Sequence, residues 1–286
     1  MIGVLELMVL LAGVGVVSRV VFRPSPNLDG LRIDGVPVTS TAIELLHRWA
    51  DRTKRWRRLL GLPTLVLTLS ASIVFTQSVN VGIGEHPPWS DPVLMVLLSV
   101  FVAGIAAELH HLRRRPGATR YANLTPRDLS DFLPGGARRR QLMLALIAAA
   151  STLLAVTVAG QRMPVLGVVA LLLAGVVPLV QHGIVQRGRP AVRPALRAAD
   201  DAVRRLAIRA VDDAGAGAIL LLSAWQLAPT YADAGAAGPV EIGMIAAQVA
   251  AFVIAVVWWW RSDPNRLLAD LASKATTTFP PSSDTS

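Results

Sequence analysis

The chain has 286 residues, 53% of them hydrophobic and 16% charged, with a mean hydropathy of +0.50. Soluble domains carry about 25% charged residues, so these figures exclude a disordered chain and argue against an ordinary soluble domain. The formal net charge of +9 would point to nucleic acid only in a soluble protein, and the lack of cysteine excludes disulfides, thiolate metal sites and cysteine catalysis.

Seven apolar runs follow one another, at residues 1–22, 59–83, 92–112, 141–159, 164–185, 214–228 and 239–260. Roughly 20 apolar residues cross a bilayer; the run 214–228, closed by Pro229, is the weakest. The expected fold is all-α: a polytopic transmembrane helical bundle of about seven spans, one leading helix plus three helical hairpins. Segments 23–58, 113–140 and 186–213 and the tail after Trp260 hold 26 of the 28 Lys and Arg. Positive residues gather on the cytoplasmic side, so the N-terminus is expected outside and the C-terminus inside, which requires an odd number of spans. No Lys or Arg precedes Arg19 in the first run, whereas a signal peptide opens with a positive region, so that run is expected to remain uncleaved. Residues 1–260 then form the bundle, with short cytoplasmic helices at 41–58, 126–133 and 195–211. Residues 261–286 form a cytoplasmic tail whose Thr-, Ser- and Pro-rich end, 276–286, is expected to be disordered.

In the first basic segment Thr41 and Glu44 form a capping box that starts a helix. Leu46, Trp49, Thr53, Trp56 and Leu60 recur at helical spacing, beside Arg52, Lys54, Arg55, Arg57 and Arg58. Such a helix is expected to lie on the inner leaflet with Trp49 and Trp56 at the interface, where its cations meet anionic lipid or a partner protein. In the second, Thr125 as N-cap, Pro126 at the first position and the Leu124–Leu129 staple start the short helix that Pro134-Gly135-Gly136 stops. In the third, Leu196, Ala199, Val203, Leu206 and Ala210 form an apolar stripe, and Asp200–Arg204 and Asp201–Arg205 are acid-first pairs four residues apart.

Several runs carry ridges of small residues at spacing four, the pattern that lets helices approach closely in lipid. These are Ser99, Ala103 and Ala107; Ser151, Ala155 and Ala159; and Gly243, Ala247, Ala251 and Ala255. The run 59–83 carries Thr64, Thr68, Ser72, Thr76 and Asn80 at the same spacing. Packing is the expected role of these hydroxyls, and Thr68, Ser72 and Thr76 with Gln248 are the candidate intramembrane polar site should the bundle enclose a path.

No Gly-rich phosphate loop, nucleophile elbow or zinc-protease helix motif occurs, so no catalytic residue and no cofactor are assigned. The acid pairs Asp200-Asp201 and Asp212-Asp213 resemble magnesium-diphosphate ligands superficially. Twelve residues turn a helix about 120° past whole turns, so the pairs do not share a face, and a solvated, ion-paired surface is expected. Glu44 with His47 and Glu108 with His111 each form Glu-x-x-His, the spacing of di-iron carboxylate bundles. Two further carboxylates needed at that level are missing, because Glu6, Glu85 and Glu241 all fall on the outer side, so these four remain weak metal candidates.

The stretch Asn123-Leu124-Thr125-Pro126-Arg127-Asp128-Leu129-Ser130-Asp131-Phe132-Leu133-Pro134 and the stretch Ala199-Asp200-Asp201-Ala202-Val203-Arg204-Arg205 resemble segments of uncharacterised multi-pass membrane proteins of actinobacteria. The resemblance covers less than a tenth of the chain. It implies a bacterial cytoplasmic membrane location and carries no activity. The function expected is a non-enzymatic scaffold, assembly or regulatory component whose basic cytoplasmic face meets anionic inner-leaflet lipid or a protein partner, with nucleic acid not expected. The alternative is a facilitator or transporter of a small neutral or lipidic solute.

Overall fold

The computed structural model describes residues 25–28, 31–33, 36–78, 92–113, 129–133, 135–157, 164–186, 194–233 and 239–278. The leading run 1–22, the N-cap at Thr125 and the tail from 279 onward lie outside them. A two-stranded antiparallel ribbon, β1 (Arg32–Ile33) and β2 (Val36–Pro37), precedes seven helices among the described residues. These are α1 (Ser40–Ser78), α2 (Pro92–Arg113), α3 (Ala137–Thr157), α4 (Val165–Gln186), α5 (Pro194–Asp233), α6 (Pro239–Arg261) and α7 (Pro264–Thr278).

α3 and α4 are each long and apolar enough to cross a membrane. Their outward side chains, among them Leu142, Leu146, Leu153, Leu172 and Leu179, are 63–71% exposed. An exposed apolar surface of this extent is foreign to a soluble monomer and suits hydrocarbon.

α1 has 39 residues and α5 has 40. At 1.5 Å per residue each is about 60 Å long, twice the roughly 30 Å hydrocarbon core. The basic segments 41–58 and 195–211 are therefore not separate short helices; they are the N-terminal halves of α1 and α5, continuous with the apolar runs. No proline interrupts the junction in either helix: Pro63 lies beyond the basic half of α1, and Gly215 and Gly217 cost α5 only about 1 kcal/mol each. The third short helix, expected at 126–133, is reduced among the described residues to a 3-10 turn at Leu129–Asp131.

The chain builds two layers. In the first layer Leu28, Leu31 and Ile33 pack with Leu46 and Trp49 of α1, Ile184 of α4, Val203 and Leu206 of α5, and Leu267 and Leu268 of α7. Within the expected tail, residues 264–278 are helical, which includes Thr276–Thr278 at the start of the stretch expected to be disordered, and Leu267 and Leu268 are fully buried. The apolar i, i+3, i+4 pattern of Leu267, Leu268 and Leu271 gives α7 a face to bury, and this outweighs the polar composition that follows it.

In the second layer α5 is the axis. Residues 210–219 are buried on every side. A side chain on Gly217 would run into the Phe101 ring of α2, and one on Gly215 into Val177 of α4. Gly167 of α4 sits equally close to Thr152 of α3. The weakest apolar run is thus the most enclosed, because protein rather than lipid surrounds it. Of the expected ridges, Ala103, Ala107, Ser151, Ala155, Ala251 and Ala255 are buried, whereas Ala247 is exposed and Gly243 faces open space. Among the described residues, the small ridge of the seventh run is therefore packed along its C-terminal half. Thr64 donates to the Leu60 carbonyl at 2.6 Å, and the side chains of Thr68, Ser72 and Thr76 lie outside the described residues.

Gly217→Ala is expected to lower the melting temperature of the detergent-extracted protein, since overpacking costs about 1–3 kcal/mol. Gly175→Ala, at a position with nothing within 4 Å, is expected to leave melting unchanged or raise it through helix propensity. Equal responses would mean that α5 and α2 do not meet at Gly217.

Candidate functional site

Where the two layers join, charged and amide side chains are buried between helices. α1 and α2 run antiparallel there. Trp49, Thr53 and Arg57 recur every fourth residue on α1 and face Glu108 and Gly104 of α2. The Trp49 indole N–H donates to Glu108 Oε1 at 2.9 Å, and Arg52 lies 3.7 Å from the same oxygen. The Arg57 guanidinium donates to the carbonyl and hydroxyl of Ser262 at 2.8 and 2.9 Å, holding the turn between α6 and α7. Burial pushes the Arg57 guanidinium down to about 10, with Asp263 partly offsetting it, so the group stays cationic at neutral pH.

A second cluster joins α3, α4 and α5. Arg140 reaches both Asp212 and Asp213 of α5, bonding Asp213 Oδ1 at 3.0 Å and Asp212 Oδ2 with its other terminal nitrogen. Gln141 donates to Asp212 Oδ1 at 2.8 Å and to Gln181 of α4 at 2.9 Å. Asp212 thus has both oxygens engaged, while Asp213 Oδ2 is buried without a hydrogen-bond partner among the described residues. The outer face of Arg140 lies 5.6 Å from the Trp258 ring centroid.

A third cluster fixes α4 against α5. Arg204, fully buried, pairs with Asp200 at 2.8 Å and donates to the carbonyls of Ile184 and Val185, in the last turn of α4. These carbonyls have no intrahelical donor, so the guanidinium caps the helix. At the other end of α4, buried Gln226 of α5 accepts from the Gly167 N–H at 2.9 Å, capping the first turn.

Several expectations are corrected here. Trp49, Lys54 and Arg57 are buried and Arg52 is half-buried, so the aromatic face of 41–58 docks on α2 and not on lipid. The apolar stripe has the predicted spacing, but protein supplies its partner. Arg55 and Arg58 are exposed, and Trp56 is half-buried with its ring 5.2 Å from that of His110. The metal candidates do not converge. Glu44 is exposed and pairs with Arg48, His47 is half-buried, and Glu108 is occupied by Trp49 and Arg52. The side chain of His111 lies outside the described residues, and among those described no three His, Asp or Glu gather as metal ligands. The acids expected on a solvated face are largely buried: Asp200, Asp212 and Asp213 are all enclosed. Gln248 is half-buried on α6. Gln141, Gln181 and Gln226 were not singled out from the sequence. Their signal is an amide at the end of an apolar run, facing a helix of Ala and Gly.

No family model, no curated protein and no solved structure matches the chain. Function must therefore be read from the architecture itself.

Arg140→Gln would leave two buried carboxylates without a hydrogen-bonded cation, and removing one partner of a buried ion pair costs about 3–5 kcal/mol. The expected result is a large loss of melting temperature in detergent. The variant combining it with Asp212→Asn and Asp213→Asn removes the charge imbalance and is expected to recover most of the loss. Unchanged melting of Arg140→Gln alone would mean that water reaches the cluster.

Proposed function

We propose that the chain is a multi-pass integral membrane protein of the bacterial cytoplasmic membrane, with the N-terminus outside and the C-terminus inside. In this reading it is a scaffold, assembly or regulatory component that meets anionic inner-leaflet lipid, or a partner protein, with its basic inner face. One observation carries the proposal: polar contacts, most of them buried, tie all four basic segments together. Arg57 of the first holds Ser262 of the last, and Arg140 of the second holds Asp212 and Asp213 of the third. Arg209 of α5 also approaches Asp270 of α7 at 4.0 Å. Segments read as cytoplasmic from charge alone thus share one end of the bundle, as a single-sided disposition requires.

The exposed cations on that end include Arg55, Arg58, Arg138, Arg139 and Arg205. Each contributes on the order of 1 kcal/mol close to an anionic surface. A scaffold role is favoured over passage of a solute by the enclosure of α5. A facilitator needs a lined path, and among the described residues the axis of the bundle is filled by Ala, Gly and the Phe101 and Val177 side chains that press on them.

The chain contains no cysteine, so single cysteines can be introduced without background. An impermeant thiol reagent applied to intact cells is expected to label Ser90→Cys and Ala234→Cys and to spare Ser130→Cys and Ser273→Cys until the membrane is opened. Labelling of Ser130→Cys and Ser273→Cys in intact cells would invert the orientation, and labelling of all four would remove the membrane reading.

A further inference from the structure

The outward face of α6 forms a continuous apolar line, Val249, Val253, Val257 and Trp260, all at least 44% exposed. Its neighbours differ sharply at the inner end: Trp259 is fully buried, while Trp260 is 47% exposed. An exposed indole at the end of an apolar helix sits naturally at headgroup depth, where its ring is apolar and its surroundings wet. The Arg266 guanidinium of α7 lies 3.7 Å from the Trp260 ring centroid. Arg261, the last residue of α6, is exposed beside it. Arg266 forms no ion pair among the described residues, and Arg261 acts on the buried Asp213 carboxylate only through its field, with no hydrogen bond between them. The turn carrying them is fixed from beneath: Ser262, Asp263 and Asn265 are buried, and Arg57 grips Ser262. The Trp260–Arg266 stack and the backbone that carries Arg261 are therefore held in place before anything binds.

We propose that Trp260, Arg261 and Arg266 form a docking surface for one anionic phospholipid of the inner leaflet. Its phosphate lies against the two guanidiniums, and an acyl chain lies along Val257, Val253 and Val249. Stacking uses the face of Arg266 and its Nη1 is buried, which leaves the Nε and Nη2 edge of this planar fork to meet phosphate oxygens. The proposal rests on the membrane reading above and adds to it a place and a stoichiometry.

The test is native mass spectrometry of the full-length protein in mild detergent, titrated with phosphatidylglycerol or with phosphatidylcholine of the same acyl chains. The wild type is expected to retain one phosphatidylglycerol at a concentration roughly tenfold or more below that needed for phosphatidylcholine, as two added cations at the headgroup predict. Arg261→Gln combined with Arg266→Gln is expected to abolish the preference. Arg261→Gln alone, at an exposed position, is expected to reduce it with melting unchanged, and Trp260→Leu to weaken retention of both lipids. Arg55→Gln combined with Arg58→Gln is expected to leave the one-to-one adduct intact. A preference that survives Arg261→Gln/Arg266→Gln, or that disappears with Arg55→Gln/Arg58→Gln instead, overturns the proposal while leaving the membrane reading standing. A protein that stays monodisperse without detergent and retains neither lipid overturns both.

Discussion

A helix enclosed on every side can carry only small side chains where its neighbours come closest, and α5 meets that constraint with Ala210, Ala214, Gly215, Gly217 and Ala218. Lipid gives helices no hydrophobic reason to associate, so close van der Waals approach and buried hydrogen bonds must hold them together. Phe101 and Val177 fill the space that the two glycines leave. α2, α3, α4 and α6 find their positions by reference to this one surface. The cost in helix propensity of two glycines is recovered in the contact area they open.

Charge does the complementary work where the layers meet. Arg57, Arg140 and Arg204 are each directed at groups that cannot be left bare: the carbonyl of a turn, two carboxylates, and the last carbonyls of a helix. Burying such groups adds little net stability when they are paired, but losing one partner is expensive. The arrangement therefore discriminates against other arrangements of the same helices more than it deepens the native minimum. It also explains why several positives of the basic segments, Arg57 and Arg204 among them, are buried between helices.

The periodic features of the chain were legible in its sequence. The stripe through Leu46, Trp49 and Thr53 and the stripe through Ala199, Val203 and Leu206 both occupy buried faces. What covers a stripe is a different question. An amphipathic helix beside Arg and Lys has the same pattern whether its apolar face meets lipid or another helix, and only the position of Glu108, 59 residues from Trp49, decides it. Asp212 and Asp213 were unreadable for a similar reason. Their partners Arg140, Gln141 and Gln181 are 31 to 73 residues away, and adjacent acids at the end of a polar stretch look solvated from local sequence. The helical tail was hidden by the Thr- and Ser-rich residues that follow its buried leucines. No spacing rule assigns the Trp260–Arg266 stack, because its two members belong to different helices.

α5 holds α4 at both ends, through Gln226 on the Gly167 N–H and through Arg204 on the Ile184 and Val185 carbonyls. Two grips so placed make the pair behave as a caliper. Sliding either helix by a single residue moves it 1.5 Å along its axis, enough to pull both ends off their donors and acceptors together. The hairpin therefore admits one longitudinal setting, and its span is gauged by side chains rather than by the thickness of the surrounding bilayer. A thinner or thicker membrane would have to adapt to α4, through lipid stretching or tilt of the whole bundle, because α4 cannot creep along its neighbour to suit it.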